Sequence, residues 1–401
     1  MKYRALLFKT VSDIRASYWF IPACLASLAL VSARLLVWFE YENYWVSGLI
    51  PSSLTDTKIE DARLILSVIA QSVIGVAGVM FSVTMVAVSF ASGNFGPRLI
   101  ENFMRDRGNQ WSLGILIATF VFTLMVMRSI QGDVTDGVDL FVPQMPIVVA
   151  MCLALLSVGV VIYFVHHVPE TINVSNIAAS LGRRFCAQMA DTAQEVPPDH
   201  DTRGVKPTEE AGLNTHGYVQ RIDMAKLSDL AETFDITIWI DRIPGHFVHP
   251  GQTVFRCSKA LEDDQLSQLR ACFALGAIKT EDQNLLFLAE QQVEMIARAL
   301  SPGVNDPFTA INCLNWLTAG LAAGMQKGTV FGIHGSDKVI VPETGIADVL
   351  DATFGASLDY IKGDKIVKQT WKTLLRDLAA SLDGDTAKEV DAWAKKHDTP
   401  V

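Results

Sequence analysis

Two groups of residues in this chain have the types and spacing that a working site would need. Gln71, Gly75, Gly78, Ser82, Met85, Ser89 and Ser92 recur at alternating steps of four and three. On a helix that period gathers them on one face, a stripe of small and polar side chains in a segment otherwise filled by Val, Ile, Phe and Met. Such a stripe has two physical uses. It lets helix backbones approach closely, with hydroxyls bonding across, or it faces permeating ions in a water-filled pore around a symmetry axis. The second group is Glu290 and Glu294, one turn apart, with Asn305 and Asp306 in the loop beyond them. Gathered at a helix N-terminus, these oxygens would hold an ion or a gating ligand. The loop itself, Ser301-Pro302-Gly303-Val304-Asn305-Asp306-Pro307, also has a purely structural reading. Gly303 would supply a left-handed stop, Asp306 an N-cap and Pro307 the first helical position.

Other candidates carry less. Asp133, Asp136 and Asp139 sit together in one loop; multiplied by an oligomer they would concentrate cations, and alone they are a solvated polar loop. His246 and His249 stand in HxxH spacing, but no third ligand lies near them, so no metal site is expected. His166 and His167 read as a polar cap at a membrane edge. No nucleophile–base arrangement, P-loop, GxGxxG or HExxH is present. The chain is therefore not expected to be an enzyme, and no cofactor is implied.

The elements that must position these residues can be read from composition. Of 401 residues, 50% are hydrophobic and only 19% charged, against about 25% charged in ordinary soluble domains. Up to Pro169 the chain carries eleven Lys/Arg and eleven Asp/Glu, so the formal charge of −10 belongs wholly to the residues after Pro169. A neutral, apolar front and an acidic, polar back read as a membrane domain over residues 1–169 and a soluble part after it. The acidic part lacks the Lys/Arg stripes that phosphate neutralisation needs, which excludes a nucleic-acid partner.

Four apolar stretches reach the roughly 20 residues that cross a bilayer: about Tyr18–Phe39, Leu64–Ala91, Ser112–Ile130 and Met145–Val165. Aromatic rings bracket the first, as interfaces prefer. The Val31-Ser32-Ala33 run resembles a cleavage site, but the apolar stretch fills a whole bilayer and is read as a span. The second stretch has 28 residues, roughly 42 Å as a helix, so it must tilt or continue beyond about 30 Å of hydrocarbon. Lys2, Arg4, Lys9 and Arg15, then Arg98, Arg105 and Arg107, then Arg183 and Arg184 mark the basic side. Both termini are therefore expected in the cytoplasm. No cysteine lies in an outer loop and no CxxC pair occurs, so no disulfide framework is implied.

The remainder divides into a helix and flexible linker over 170–215, a small β-rich module over 216–280 and a mainly helical domain over 281–401. The β-rich module is similar to half of the barrel-sandwich motif of lipoyl and biotinyl domains, without their lysine-bearing hairpin. Helices are expected at about Met224–Phe234, Glu281–Leu300, through about Ala323, and at Ile346–Ile361, Ile366–Leu382 and Thr386–Lys396. The fold class expected is an α-helical four-span membrane domain followed by an α+β cytoplasmic domain.

Three segments then carry a resemblance. Ala91-Ser92 with Phe95-Gly96-Pro97-Arg98 closes the second span; Gly217-Tyr218-Val219-Gln220-Arg221-Ile222-Asp223 forms a strand; Arg298-Ala299-Leu300-Ser301-Pro302-Gly303-Val304-Asn305-Asp306-Pro307-Phe308-Thr309-Ala310-Ile311 joins two helices. Together they resemble the bacterial predicted-membrane-protein family catalogued as domain of unknown function 2254. The resemblance implies a multi-pass protein of the bacterial inner membrane, in contact with the lipid bilayer, and no activity. The residues themselves support two readings of function. One is a homo-oligomeric ion channel, cation-conducting if its acidic outer loops count, with inorganic ions passing the second span. The other is a membrane-anchored sensor or scaffold whose cytoplasmic domain binds a ligand or protein.

Overall fold

The computed structural model describes residues 17–42, 58–95, 106–130, 141–195 and 205–397. The chain divides into two compact units, one built on helices within residues 12–173 and one from Val174 onward.

The first unit is four helices, each long and apolar enough to cross a membrane: α1 (Phe20–Glu42), α2 (Ile59–Phe95), α3 (Arg107–Ser129) and α4 (Gln144–Thr171). Each extends past its apolar stretch. α2 starts among Glu60, Asp61 and Arg63 and runs for 37 residues, roughly 55 Å at 1.5 Å per residue. Lipid is as apolar as leucine, so close packing rather than water exclusion must hold such helices together. Small residues provide it: a Cβ at Gly114 would lie 2.7 Å from Leu25 and 3.2 Å from the Pro22 backbone. One cluster joins Ala29, Ala33, Ala62, Leu66, Phe122, Val126 and Ile147; a second joins Val73, Ala77, Met80, Leu116, Phe164 and Val168. Between α3 and α4 the buried Ser157 hydroxyl donates to Thr119 Oγ1 at 3.2 Å. Glu40, from the acidic end of α1, is 4% exposed. Its two oxygens accept from the Gln144 and Met145 amides at 2.9 and 3.0 Å, satisfying the start of α4, whose own Pro143 offers no cap.

The second unit mixes helices and short strands. After α5 (Val174–Thr192) come β1 (Glu209–Ala211), β2 (Gly217–Ile222), α6 (Met224–Thr233), β3 (Ile238–Ile240), β4 (Phe247–Val248), β5 (Phe255–Cys257), α7 (Asp263–Arg270) and β6 (Phe273–Gly276). Next along the chain are α8 (Phe287–Ala299), α9 (Pro307–Met325), β7 (Val330–Phe331), β8 (Val339–Ile340), β9 (Thr344–Gly345) and α10 (Ile346–Leu350). A π-turn (Asp351–Gly355), α11 (Ala356–Ile361), α12 (Lys365–Ala380) and α13 (Gly384–His397) complete it. One sheet has the order β1-β5-β3-β8, another β4-β2-β6, and β7 pairs with β9. β8 lies parallel to β3 although about a hundred residues separate them, with Ile238 opposite Val339. Val219, Ile222, Leu227, Ile238, Phe255 and Leu269 fill the core between the two larger sheets and their helices.

The helical part is built on glycine-assisted contact. α5 lies along α9 with Gly182 against Trp316 and Gly320 against Phe185, both too close to admit a methyl group, and with Gly324 in close contact with Met189. Where one helix is expected over Ile346–Ile361, a π-turn interrupts it, and Trp393 Nε1 donates to Asp351 Oδ1 there at 2.8 Å.

Candidate functional site

The stripe on α2 faces away from its own bundle. Ala62, Leu66, Ala70, Val73, Ala77, Met80 and Thr84 are the buried positions of this helix. At 100° per residue they centre roughly 150° round the helix from Gln71, Gly75, Gly78, Ser82, Met85 and Ser89. Gln71, Gly75, Gly78, Ser82 and Ser89 are exposed and Met85 is half-buried. A Cβ built at Gly75 or Gly78 would meet nothing within 4 Å. Gln71 Nε2 turns back to Ser67 Oγ at 2.7 Å within the helix. Among the described residues, the small residues therefore do not serve packing inside this chain. Ser92 falls on the helix, but its side chain is outside the described ones, as are Asp133, Asp136 and Asp139 altogether.

One end of the bundle carries a polar contact between helices. Asp106 caps α3, its Oδ1 accepting from the Gly108 amide at 2.9 Å, while Oδ2 lies 2.7 Å from His167 Nε2 on α4. The His167 ring stacks on Tyr163 with centroids 5.0 Å apart. His166 is exposed and lies 3.4 Å from Glu170 on the same helix.

In the second unit the structure separates residues that the sequence places in one group. Glu290 lies in the first turn of α8 and pairs with Lys279 at 2.6 Å. Glu294 pairs with Arg298 on the same helix at 3.6 Å. Asn305 and Asp306 lie beyond the far end of α8, roughly 14 Å along its axis from Glu290. Asp306 is the N-cap of α9: Oδ1 accepts from the Thr309 amide at 3.1 Å and Oδ2 from the Thr309 hydroxyl at 2.6 Å, with Pro307 next. The left-handed residue of the loop is Asn305, at φ +50°, rather than Gly303. Asparagine tolerates that conformation because its short amide bonds locally.

α8 begins at Phe287 rather than near Glu281, because the preceding loop is tied to a strand edge. Gln283 Oε1 accepts from the Ile222 amide at 2.8 Å and its Nε2 donates to the Ile222 carbonyl at 3.1 Å. Arg221 and Asp282 pair at 2.8 Å beside it. This tether fixes Lys279 and Asn284 against the turn at Pro244-Gly245-His246, around a pocket that Glu290 also lines. Neither Lys279 nor Asn284 has a motif in the sequence; the only signal is the turn-rich run from Pro244. His249, the second histidine of that run's HxxH spacing, is exposed and bonds its neighbour Pro250 at 3.0 Å. Burial pushes the thiols of Cys257, Cys272 and Cys313 up to about 12, which makes them inert core residues.

Comparisons with known proteins agree on a class. A family model described as a predicted membrane protein, domain of unknown function 2254, matches residues 15–377. An uncharacterized protein of Mycobacterium bovis (strain ATCC BAA-935 / AF2122/97) is 27% identical over 328 residues, covering 78% of this chain and 61% of that protein. An uncharacterized protein of Mycobacterium tuberculosis (strain ATCC 25618 / H37Rv) matches with the same identity and coverage. The chain thus spans 61% of the length of the curated relatives it matches. No solved structure matches it. With the family model covering well over half of the chain and four membrane-length apolar helices in place, the protein belongs to the predicted membrane protein family named domain of unknown function 2254.

Proposed function

We propose that this membrane protein assembles as a homo-oligomeric ion channel of the bacterial inner membrane, with α2 contributing the pore and the mixed unit regulating it from the cytoplasm. The observation that carries this reading is the outward stripe. A helix that commits one face to its own bundle and presents Gln71, Gly75, Gly78, Ser82 and Ser89 on the other has little to gain from lipid there. Lipid offers no partner to hydroxyls and amides, whereas a ring of copies places them on a shared axis, next to water and ions. Acidic residues of the third loop, Asp133, Asp136 and Asp139, favour cations at its outer mouth. The Lys/Arg distribution supports termini on the cytoplasmic side. No catalytic step is assigned to the mixed unit.

A second reading is a membrane-anchored sensor or scaffold, favoured by the pocket beside Glu290. There the same α2 face would join two copies without conducting. Electron microscopy of the purified protein, with planar-bilayer recording on the same sample, separates the two. A closed ring with α2 on its axis and measurable conductance supports the channel. A silent monomer or dimer with that face covered by protein rejects it.

A further inference from the structure

The loop that joins α8 to α9 ends in an exposed apolar tip. Phe308, in the first turn of α9, is 73% exposed, more than any other large hydrophobic residue described in the mixed unit and close to the 74% of Leu155 within the span of α4. Val304 in the loop is 48% exposed, and Pro302 beside it is exposed too. A lone exposed hydrophobic residue is ordinary; what distinguishes these is their setting.

The loop's backbone is largely closed on itself. Pro302 and Pro307 have no N–H, and the amides of Ser301, Val304, Asn305 and Asp306 donate to the carbonyls of Arg298, Ser301 and Ala299 at 2.7–3.1 Å. Asp306 is the one charged residue between Ala299 and Thr309, and Thr309 donates to both of its oxygens. Unpaired polar groups are what make leaving water costly, and this loop pairs most of its own.

Its place in the fold follows from three helices. Gly182 meets Trp316, Phe185 meets Gly320 and Met189 meets Gly324, so α5 and α9 run parallel and in step. Eight residues back from Gly182 and Trp316 are Val174 and Phe308, which puts Phe308 level with the first residue of α5. α8 runs the other way: Gln188 of α5 donates to the Asn284 carbonyl at 3.3 Å, and the Gln292 amide lies 3.4 Å from the Ala178 carbonyl. The α8–α9 tip therefore lies at the end of the unit where α5 begins. That end is tethered, because Val174 follows the end of α4 at Thr171 by two intervening residues, a reach of about 11 Å at most. Thr171 is six residues past Val165, where the apolar stretch stops, or roughly 9 Å of helix. The chain itself thus keeps the start of α5 within about 20 Å of the hydrocarbon.

We propose that the Val304–Phe308 tip is a membrane-contact site, at which Phe308 and Val304 enter the interfacial layer of the bilayer that the same chain spans. Without Lys or Arg the tip suits the boundary between headgroups and acyl chains and needs no anionic lipid. The inference rests on the membrane class of the protein and not on the channel reading.

Fluorescence of the full chain in phosphatidylcholine nanodiscs tests it. Cys24, Cys152 and Cys186, the cysteines that are not buried, are replaced by alanine, and a nitrobenzoxadiazole dye is attached through Val304→Cys. The dye should be quenched by lipids carrying a nitroxide on a shallow acyl carbon and protected from aqueous iodide. The same dye at Gln326→Cys, exposed at the other end of α9 and roughly 27 Å away, should behave in the opposite way. Adding Phe308→Ser should abolish the lipid quenching at Val304→Cys, whereas Phe308→Leu, still apolar, should keep it. The proposal is overturned if iodide reaches both positions equally, or if the Val304→Cys dye is shielded from both quenchers, as a covering protein would shield it. Lipid quenching that Phe308→Ser leaves unchanged, as insertion by the dye itself would give, or that Phe308→Leu also abolishes, overturns it as well.

Discussion

Asp106 and His167 join the start of α3 to the end of α4, Oδ2 to Nε2 at 2.7 Å, and Gly108 is the residue that allows it. A Cβ at Gly108 would lie 2.4 Å from His167 Nε2 and 2.8 Å from the Tyr163 hydroxyl. Gly108→Ala should therefore act as overpacking, which costs about 1–3 kcal/mol. Removing the obstructing ring in Gly108→Ala/His167→Ala should recover part of that loss. Unfolding midpoints in detergent for the two single variants and the double variant measure the coupling. Simple additivity would mean that the glycine and the histidine do not share this contact.

The two faces of α2 predict opposite phenotypes. Ala77 is 3% exposed and packs in the cluster with Leu116 and Phe164, so Ala77→Leu should disturb the bundle and lower its thermal stability. Ser82 lies on the outward face, so Ser82→Leu should leave the monomer fold intact. In the channel reading, Ser82→Leu and Ser89→Leu reduce conductance in a normally assembled particle. Dissociation of the particle without any conducting species would instead assign the face to packing between copies.

Asp306 gives a test of capping against ligand binding. Losing its two bonds to Thr309 in Asp306→Ala should cost about 1 kcal/mol, the usual value of an N-cap. Asp306→Ser and Asp306→Asn cap comparably and should restore both stability and activity. A normally folded Asn variant that has lost ion flux would show that the charge, not the cap, is what matters.

Much of this architecture is legible in the sequence, and the exceptions share a cause. The spans are readable because hydrocarbon thickness demands a run of apolar residues. Their ends are less so: α2 continues through Glu60, Asp61 and Arg63, which hydropathy counts against a helix although water beyond the bilayer does not. Asp306 and Pro307 are readable as a helix start because capping is local. The grouping of Glu290 with Asp306 fails because Glu290 takes its partner from Lys279, in a loop whose course is set by Gln283 docking on Ile222, 61 residues earlier. The pocket is illegible for the same reason. Its Pro244–His246 turn is remote in sequence from the loop and helix start that face it, and neither Asn284 nor Lys279 belongs to a recurring pattern. The parallel pairing of β8 with β3 is likewise a non-local contact that no short window contains.

Asp235 supplies a prediction about acid. It lies in the left-handed region at φ +49° and pairs with Lys259 at 2.8 Å and Lys338 at 2.9 Å. Hydrogen bonds from these two ammonium groups, reinforced by their charge, hold its carboxyl down to about 2 from an ordinary 3.8. A carboxyl depressed in the folded state contributes stability that is fully present above its unfolded value and is lost as pH falls through the folded one. The window is therefore pH 4 down to pH 2, and the effect is small because the site faces solvent and salt screens it. Asp235→Asn suits the same backbone conformation but cannot titrate. Relative to this variant, the unmodified protein should show a higher unfolding midpoint at pH 5 and a difference approaching zero near pH 2, with the gap at pH 5 shrinking in high salt. An equal gap at both pH values would mean that the aspartate's advantage over asparagine does not come from its charge and its two lysines.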